Sequence, residues 1–120
     1  MLIPDLQRTK VVVVVFAMHG CGPCEAFLPK LMDRIDAHNA HGAPFHVWAP
    51  GQTLHQNAIP VLLYDAASEN NELQDLADRL GVSATPTTCL LTRSGTTKIE
   101  GLMQPDAIDR LLNAAKSANR

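Results

Sequence analysis

Val11 to Met18 is an unbroken apolar run that opens with five consecutive valines and leads directly to Cys21-Gly22-Pro23-Cys24. β-Branched side chains lose rotamer freedom in helices and pack well on a pleated sheet. A run without polar alternation needs cover on both faces, as in a buried strand of a parallel or mixed sheet. Phe27, Leu31 and Ile35 then recur at helical spacing, with Leu28 and Met32 widening the stripe. The pattern predicts a helix from about Gly22 to His41, kinked at Pro29 and ended by His41-Gly42-Ala43-Pro44. The cysteines thus fall where strand passes into helix, and the first sulfur lies near the positive end of the helix dipole. That field favours thiolate, the species that attacks disulfides. The second cysteine lies one turn down, placed to attack a mixed disulfide and release the reduced partner. This spacing points to electron exchange between dithiols and disulfides.

The chain has 120 residues, enough for one compact domain and too few for two. A formal charge of -2, with basic residues scattered and not interleaved with aromatics, argues against nucleic-acid binding. Three cysteines do not make a disulfide framework: two form the motif and Cys89 is left over. A zinc site would need two further Cys or His at paired spacing, so no metal is expected. Arg8 and Lys10 ahead of the apolar run mimic a signal peptide. The run is short, β-branched and ends in the motif itself, which favours a strand over a leader. No stretch reaches the ~18 apolar residues of a membrane span. A cytoplasmic location is the expectation, and there a disulfide is more often catalytic than structural.

Further along, Phe45 to Ala49 reads as a short strand closed by Pro50-Gly51, and residues 52–59 leave room for one helical turn. Val61 to Tyr64 is a second buried-strand signal after Pro60. Asn71-Glu72-Leu73-Gln74 resembles a capping arrangement, followed by Leu73, Leu76, Ala77 and Leu80 on one face and Gly81 as C-terminal cap. Thr87–Thr92 and Thr96–Glu100 flank Arg93-Ser94-Gly95, a hairpin signal. Pro105 opens a last helix with Ile108, Leu111, Leu112 and Ala115 on one face. The expected organisation is one domain over residues 1–120, with a core from 11 to 115, an insertion at 45–59 and a frayed tail over 116–120. Its class is α/β, with helices on both faces of a mixed four- to five-stranded sheet.

In these features the chain resembles the thioredoxin superfamily, and Cys-Gly-Pro-Cys is the motif of thioredoxins themselves. Phe16 precedes Cys21 at the family's distance, and Pro29 matches the proline of the active-site helix. Leu80 to Thr87 resembles the segment leading into the family's cis-proline, which would be Pro86, and Gly101 matches a glycine before the last helix. The resemblance implies a three-layer thioredoxin-like fold without a bound cofactor. It also implies a redox-active Cys21–Cys24 disulfide, with Cys21 as nucleophile, Cys24 as resolving thiol, and Gly22 and Pro23 shaping the motif. Pro23 would make the pair reducing rather than oxidising. Gly20, Thr85, Pro86 and Gly101 would form the substrate surface, with the Thr85 backbone pairing an extended substrate as an added strand. Partners would be disulfide-bearing proteins and an external reductase such as a thioredoxin reductase, and a monomer is expected.

The chain also departs from the family's pattern. Residues 1–10 leave no room for the strand and helix that usually precede the active-site strand. The stretch from Cys24 to Pro86 is longer than usual, similar to the branch containing extracytoplasmic cytochrome-maturation reductases. Gly20 stands where thioredoxins carry Trp, Val15 where they carry a buried acid, and Leu63 near the paired lysine. These departures leave Cys24 without an evident base. They keep two alternatives open: a dedicated extracytoplasmic exchanger, or a redox-silent binding module on the same fold. Thr85 reads either as substrate-pairing or as an inert strand end, and His19 as a proton shuttle or a solvated loop residue. Cys89 reads as a small buried hydrophobe or a redox group, and Trp48 as packing or a substrate platform. His38, His41, His46 and His55 show no ligand spacing and read as surface groups.

Overall fold

A computed structural model describes residues 3–5 and 8–120 of the chain. Its centre is β1 (Val11–Ala17), in which Val11 to Phe16 are fully buried. This strand runs parallel to β3 (Ile59–Asp65) on one side and antiparallel to β4 (Thr87–Thr92) on the other. Edge strands β2 (Phe45–Val47) and β5 (Gly95–Glu100) complete the order β2-β3-β1-β4-β5. Helices α1 (Gly22–Ala40) and α3 (Pro105–Ala118) cover one face through Phe27, Leu31, Ile35, Ile108, Leu111 and Leu112, which pack on Val11, Val13 and Val15. Helix α2 (Asn71–Arg79) covers the other with Leu73 and Leu76, against Val12, Val14, Phe16 and Leu62. The alternating sides of β1 therefore feed two separate apolar layers, and removing either would return whole valines to water at about 1.5–3 kcal/mol each.

Several boundaries differ from the sequence reading. α1 is not among them: it runs Gly22–Ala40 with Pro29 inside it and His41 as its cap, as expected. β2 stops at Val47, two residues short of Ala49, because Trp48 turns inward and donates its indole N–H to the Gln52 carbonyl. Trp48 is thereby part of the α2-side layer. Residues 52–58 form turns, not a helical turn, with Asn57 at φ 68. β3 begins earlier than expected and takes Pro60 into the strand, opposite His46 of β2 and ahead of the stretch that pairs with β1. A proline is tolerated there because strand starts do not demand every ladder N–H. Leu63, in the run read as buried, is 40 % exposed.

The α2 cap is Asn70, one residue before the expected position, and its carboxamide oxygen accepts from Leu73 N at 3.0 Å. β5 starts at Gly95, so the hairpin turn is Arg93-Ser94 alone. α3 extends through Ala118 instead of ending near Ala115, and Asn119 Nδ2 donates to the Asn57 carbonyl at 3.0 Å.

His38 is also placed differently from the surface reading: its side chain is only 9 % exposed. Its Nε2 lies 2.9 Å from Asp109 Oδ1, and Arg34 Nε donates to the same oxygen at 2.8 Å, so two α1 residues grip one carboxylate of α3. The hydrogen bond from Arg34, with His38 adding to it, holds the Asp109 carboxyl below its usual range. A carboxyl depressed in the folded state stabilises the fold above its unfolded pKa, and that contribution is lost as pH falls through the lower folded value. Asp109→Asn is expected to lower the thermal midpoint at neutral pH. The gap between variant and wild type should close in acid, below the normal carboxylate range. Thermal denaturation of both proteins across that pH span checks it, and a gap independent of pH would contradict this role.

Candidate active site

The motif sits where β1 hands the chain to α1. Gly20 adopts φ +74, a left-handed turn that a side chain would strain, and lets Cys21 N reach back to the Met18 carbonyl at 3.4 Å. Cys21 is the N-cap of α1, and its Sγ accepts from Cys24 N at 3.2 Å. That N–H is one of the helix's unpartnered first-turn donors, so the sulfur is held at the positive end of the helix. Gly22 and Pro23 lie exposed in the first turn, Pro23 where a missing N–H costs nothing. Cys21 and Cys24 are joined as a disulfide across a Cα–Cα distance of 5.2 Å. The two sulfurs are not equivalent. Cys21 is half-buried, whereas Cys24 is 1 % exposed.

The chain returns to this point 64 residues later. The Thr85 carbonyl oxygen lies 3.6 Å from Cys21 Sγ, a contact that becomes a hydrogen bond donated by sulfur only in the reduced thiol. The Thr85 hydroxyl donates to the same sulfur at 3.4 Å. The Thr85–Pro86 peptide bond is cis, and Pro86 is buried. Thr87, through Oγ1, donates to the Ala84 carbonyl at 2.7 Å and braces the turn. Gly101, at φ +89, donates its N–H to the Pro86 carbonyl at 2.7 Å, which ties the end of β5 to the same loop. The structure therefore brings Gly20, Cys21, Gly22, Pro23, Cys24, Thr85 and Pro86 together, and reaches Gly101 through Pro86.

Met18, 41 % exposed, and Leu102, 39 % exposed beside Gly101, add apolar surface at this end of the sheet. Neither stood out in the sequence, because Met18 only closes an apolar run and Leu102 belongs to no periodic pattern. Around the buried sulfur's side of the sheet, Val15 and Leu63 are register partners, so the two positions compared with an acid and a lysine are adjacent and both apolar. Thr88, on the other side of Val15, is fully buried, and its hydroxyl has no hydrogen-bond partner among the described residues. Cys89 faces α2 in the opposite layer, where desolvation pushes its thiol pKa up. It behaves as a small core hydrophobe. Among the described residues, no three His, Cys, Asp or Glu side chains converge on a metal-sized site, and no helix is long and apolar enough to cross a membrane.

A family model described as a thioredoxin-like domain matches residues 6–116. The chain belongs to the thioredoxin-like domain family. No protein of curated function matches its sequence. Among solved structures it is similar to chloroplastic thioredoxin z, at 18 % identity and a TM-score of 0.62 over 92 % of this chain and 82 % of that one. It is likewise similar to oxidised mitochondrial thioredoxin 3 of Saccharomyces cerevisiae, at 22 % identity and a TM-score of 0.61 over 91 % and 82 %. Spinach chloroplast thioredoxin f, in its short form, shares 25 % identity and a TM-score of 0.53 over 93 % and 79 %. Thioredoxin-like fold and bridged Cys21–Cys24 pair together support thiol–disulfide exchange.

The two hydrogen-bond donors at Cys21 Sγ make a measurable demand. A negative sulfur gains more from a donated bond than a neutral thiol does. Thr85→Val removes the hydroxyl while keeping shape. Reduced Cys21 in this variant is expected to react with iodoacetamide about threefold more slowly near neutral pH, the smaller side of an ordinary hydrogen bond's net worth of about 0.5–1.5 kcal/mol. Alkylation rates followed by mass spectrometry check this, and an unchanged rate would remove Thr85 from the sulfur's electrostatics.

Proposed function

We propose that this protein is a protein disulfide reductase. The observation that carries the reading is the unequal exposure of a bridged pair: Cys21 half-open at a helix N-terminus, Cys24 shut beneath it. In the reduced protein the Cys21 thiolate attacks one sulfur of a substrate disulfide. A mixed disulfide forms, and the other substrate sulfur leaves as a thiolate that takes up a proton. Cys24, deprotonated, then attacks Cys21 Sγ. The Cys21–Cys24 bond forms, the mixed disulfide breaks, and the second substrate thiolate departs. Two electrons pass to the substrate, so an external dithiol reductase must return two electrons to the pair.

The backbone of Thr85, against Cys21, is where an extended substrate segment would pair as an added strand. Pro86 and Gly101 hold that backbone, and Gly20, Met18 and Leu102 border it. A reductase of this kind works in a compartment that keeps thiols reduced, which favours the cytoplasm. The buried free thiol of Cys89 is at home there as well.

Reduction of insulin by dithiothreitol should run faster with the protein than without it, and Cys21→Ser should abolish the effect. Cys24→Ser should instead accumulate a covalent complex through Cys21, visible on non-reducing gels. A redox titration should place the pair in the reducing range, near thioredoxin's own value of about −270 mV. A potential at the oxidant end would reverse the assigned direction, and a rate no different from dithiothreitol alone would remove the reading altogether.

A further inference from the structure

A groove of about 410 Å³ opens beside the disulfide, bounded by the β3–α2 connection, α2 and the segment leading into Pro86. Two of its lining residues touch the nucleophile: Thr85 through both oxygens, and Met18 through its carbonyl. The groove is therefore continuous with the reacting sulfur. Its floor is apolar, built from Phe16, Leu73, Ala77 and Val82. Among the described residues the charged ones in its lining are Asp65 and Asp78, and none of the lining side chains is cationic. Asp65 uses one oxygen to accept the Ala67 N–H at 2.9 Å, and neither carboxylate is ion-paired among the described residues. From Asp65 to Asp78 every charged residue is acidic, with Glu69, Glu72 and Asp75 between them. Glu72 and Asp75 line the neighbouring groove with Arg79 and Arg93, so the charge this groove itself presents is that of Asp65 and Asp78.

An apolar floor beneath an unpaired anionic rim suits one kind of side chain, a long aliphatic stem with a positive head. Lysine and arginine bury their methylenes against apolar surface while the charge stays at the wet edge. We infer that the groove reads a lysine or arginine near the attacked cysteine, so the substrates are proteins whose disulfide lies in an extended, basic segment. This rests on the exchange reaction proposed above, and specifies which disulfides it selects. Because the rim is open to solvent, the charges act mainly on encounter and on KM, and salt weakens them.

The test uses two disulfide-linked peptides identical except that lysines flank the cysteine in one and glutamates in the other, each turned over with dithiothreitol. The lysine peptide should show a kcat/KM higher by about fivefold at low ionic strength, within the range of partly exposed ion pairs. The ratio should fall toward one as salt is raised and in the Asp65→Asn/Asp78→Asn protein. Asparagine keeps the size of each side chain and the acceptor for Ala67 N–H. Should the double variant not fold, Asp78→Asn alone should reduce the ratio. Equal kcat/KM for the two peptides, or a preference that survives the substitutions, overturns the inference and leaves the exchange reaction standing. Failure of either peptide to be reduced, with insulin also unreduced, overturns the exchange reaction and the inference with it.

Discussion

Complete burial of Val11 to Phe16 is the constraint from which the rest of the molecule follows. A strand with no exposed side needs a neighbour at each edge and a layer on each face. β3 and β4 supply the edges, α1 with α3 and α2 the faces. Its C-terminal end can therefore not drift, and the loop that leaves it must begin α1 at a set point above the sheet. Gly20 makes the turn and Cys21 becomes the cap. Cys21 is positioned by a fully buried strand although it is itself only half-buried.

The second half of the site depends on the same strand by another route. β4 pairs antiparallel with β1, matching Phe16 to Thr87 and Val15 to Thr88. That register sets Thr85 and Pro86 just beyond the sheet, level with the end of β1, and so brings them to Cys21. Gly101 follows because Thr87 pairs with Glu100 across β4 and β5. Three stretches distant in sequence converge because each leaves the sheet at the same end.

Much of this was legible without coordinates. The valine run, the α1 stripe, the α2 and α3 faces and the Thr-Pro-Thr segment depend on local periodicity or on residues with narrow backbone preferences. What escaped depends on partners far along the chain. Asn39 both donates to the Phe45 carbonyl and accepts from Phe45 N, which pins the start of β2 to the end of α1. No local pattern announces that. His38 looked like a surface residue because its burial comes from Phe45 and from Asp109 on a distant helix. With Asn70 and Asn71 adjacent, either could cap α2, and only the extended backbone of Asn70 makes it the one. Leu63 belongs to an apolar run, yet it lies near the strand's end, where cover is incomplete. The insertion, expected as an addition to the fold, supplies the β2 edge strand. The sheet reaches five strands, beginning with β1 at Val11.

The apolar pair Val15 and Leu63 has a consequence for the chemistry. An ionised carboxylate at Val15 would lie in the fully buried layer beside Phe27 and Val13, where an unpaired charge is costly unless it is neutralised or matched. A lysine at the adjacent Leu63 could provide that match, since Leu63 is partly exposed and its register partner is Val15. With neither present, the sheet is spared the desolvation of a buried charge, and the polar group beside Val15 is the Thr88 hydroxyl. Neither position then offers a buried base to the exchange proposed above. The second step of that exchange then depends on the departing thiolate itself, a less basic one leaving faster.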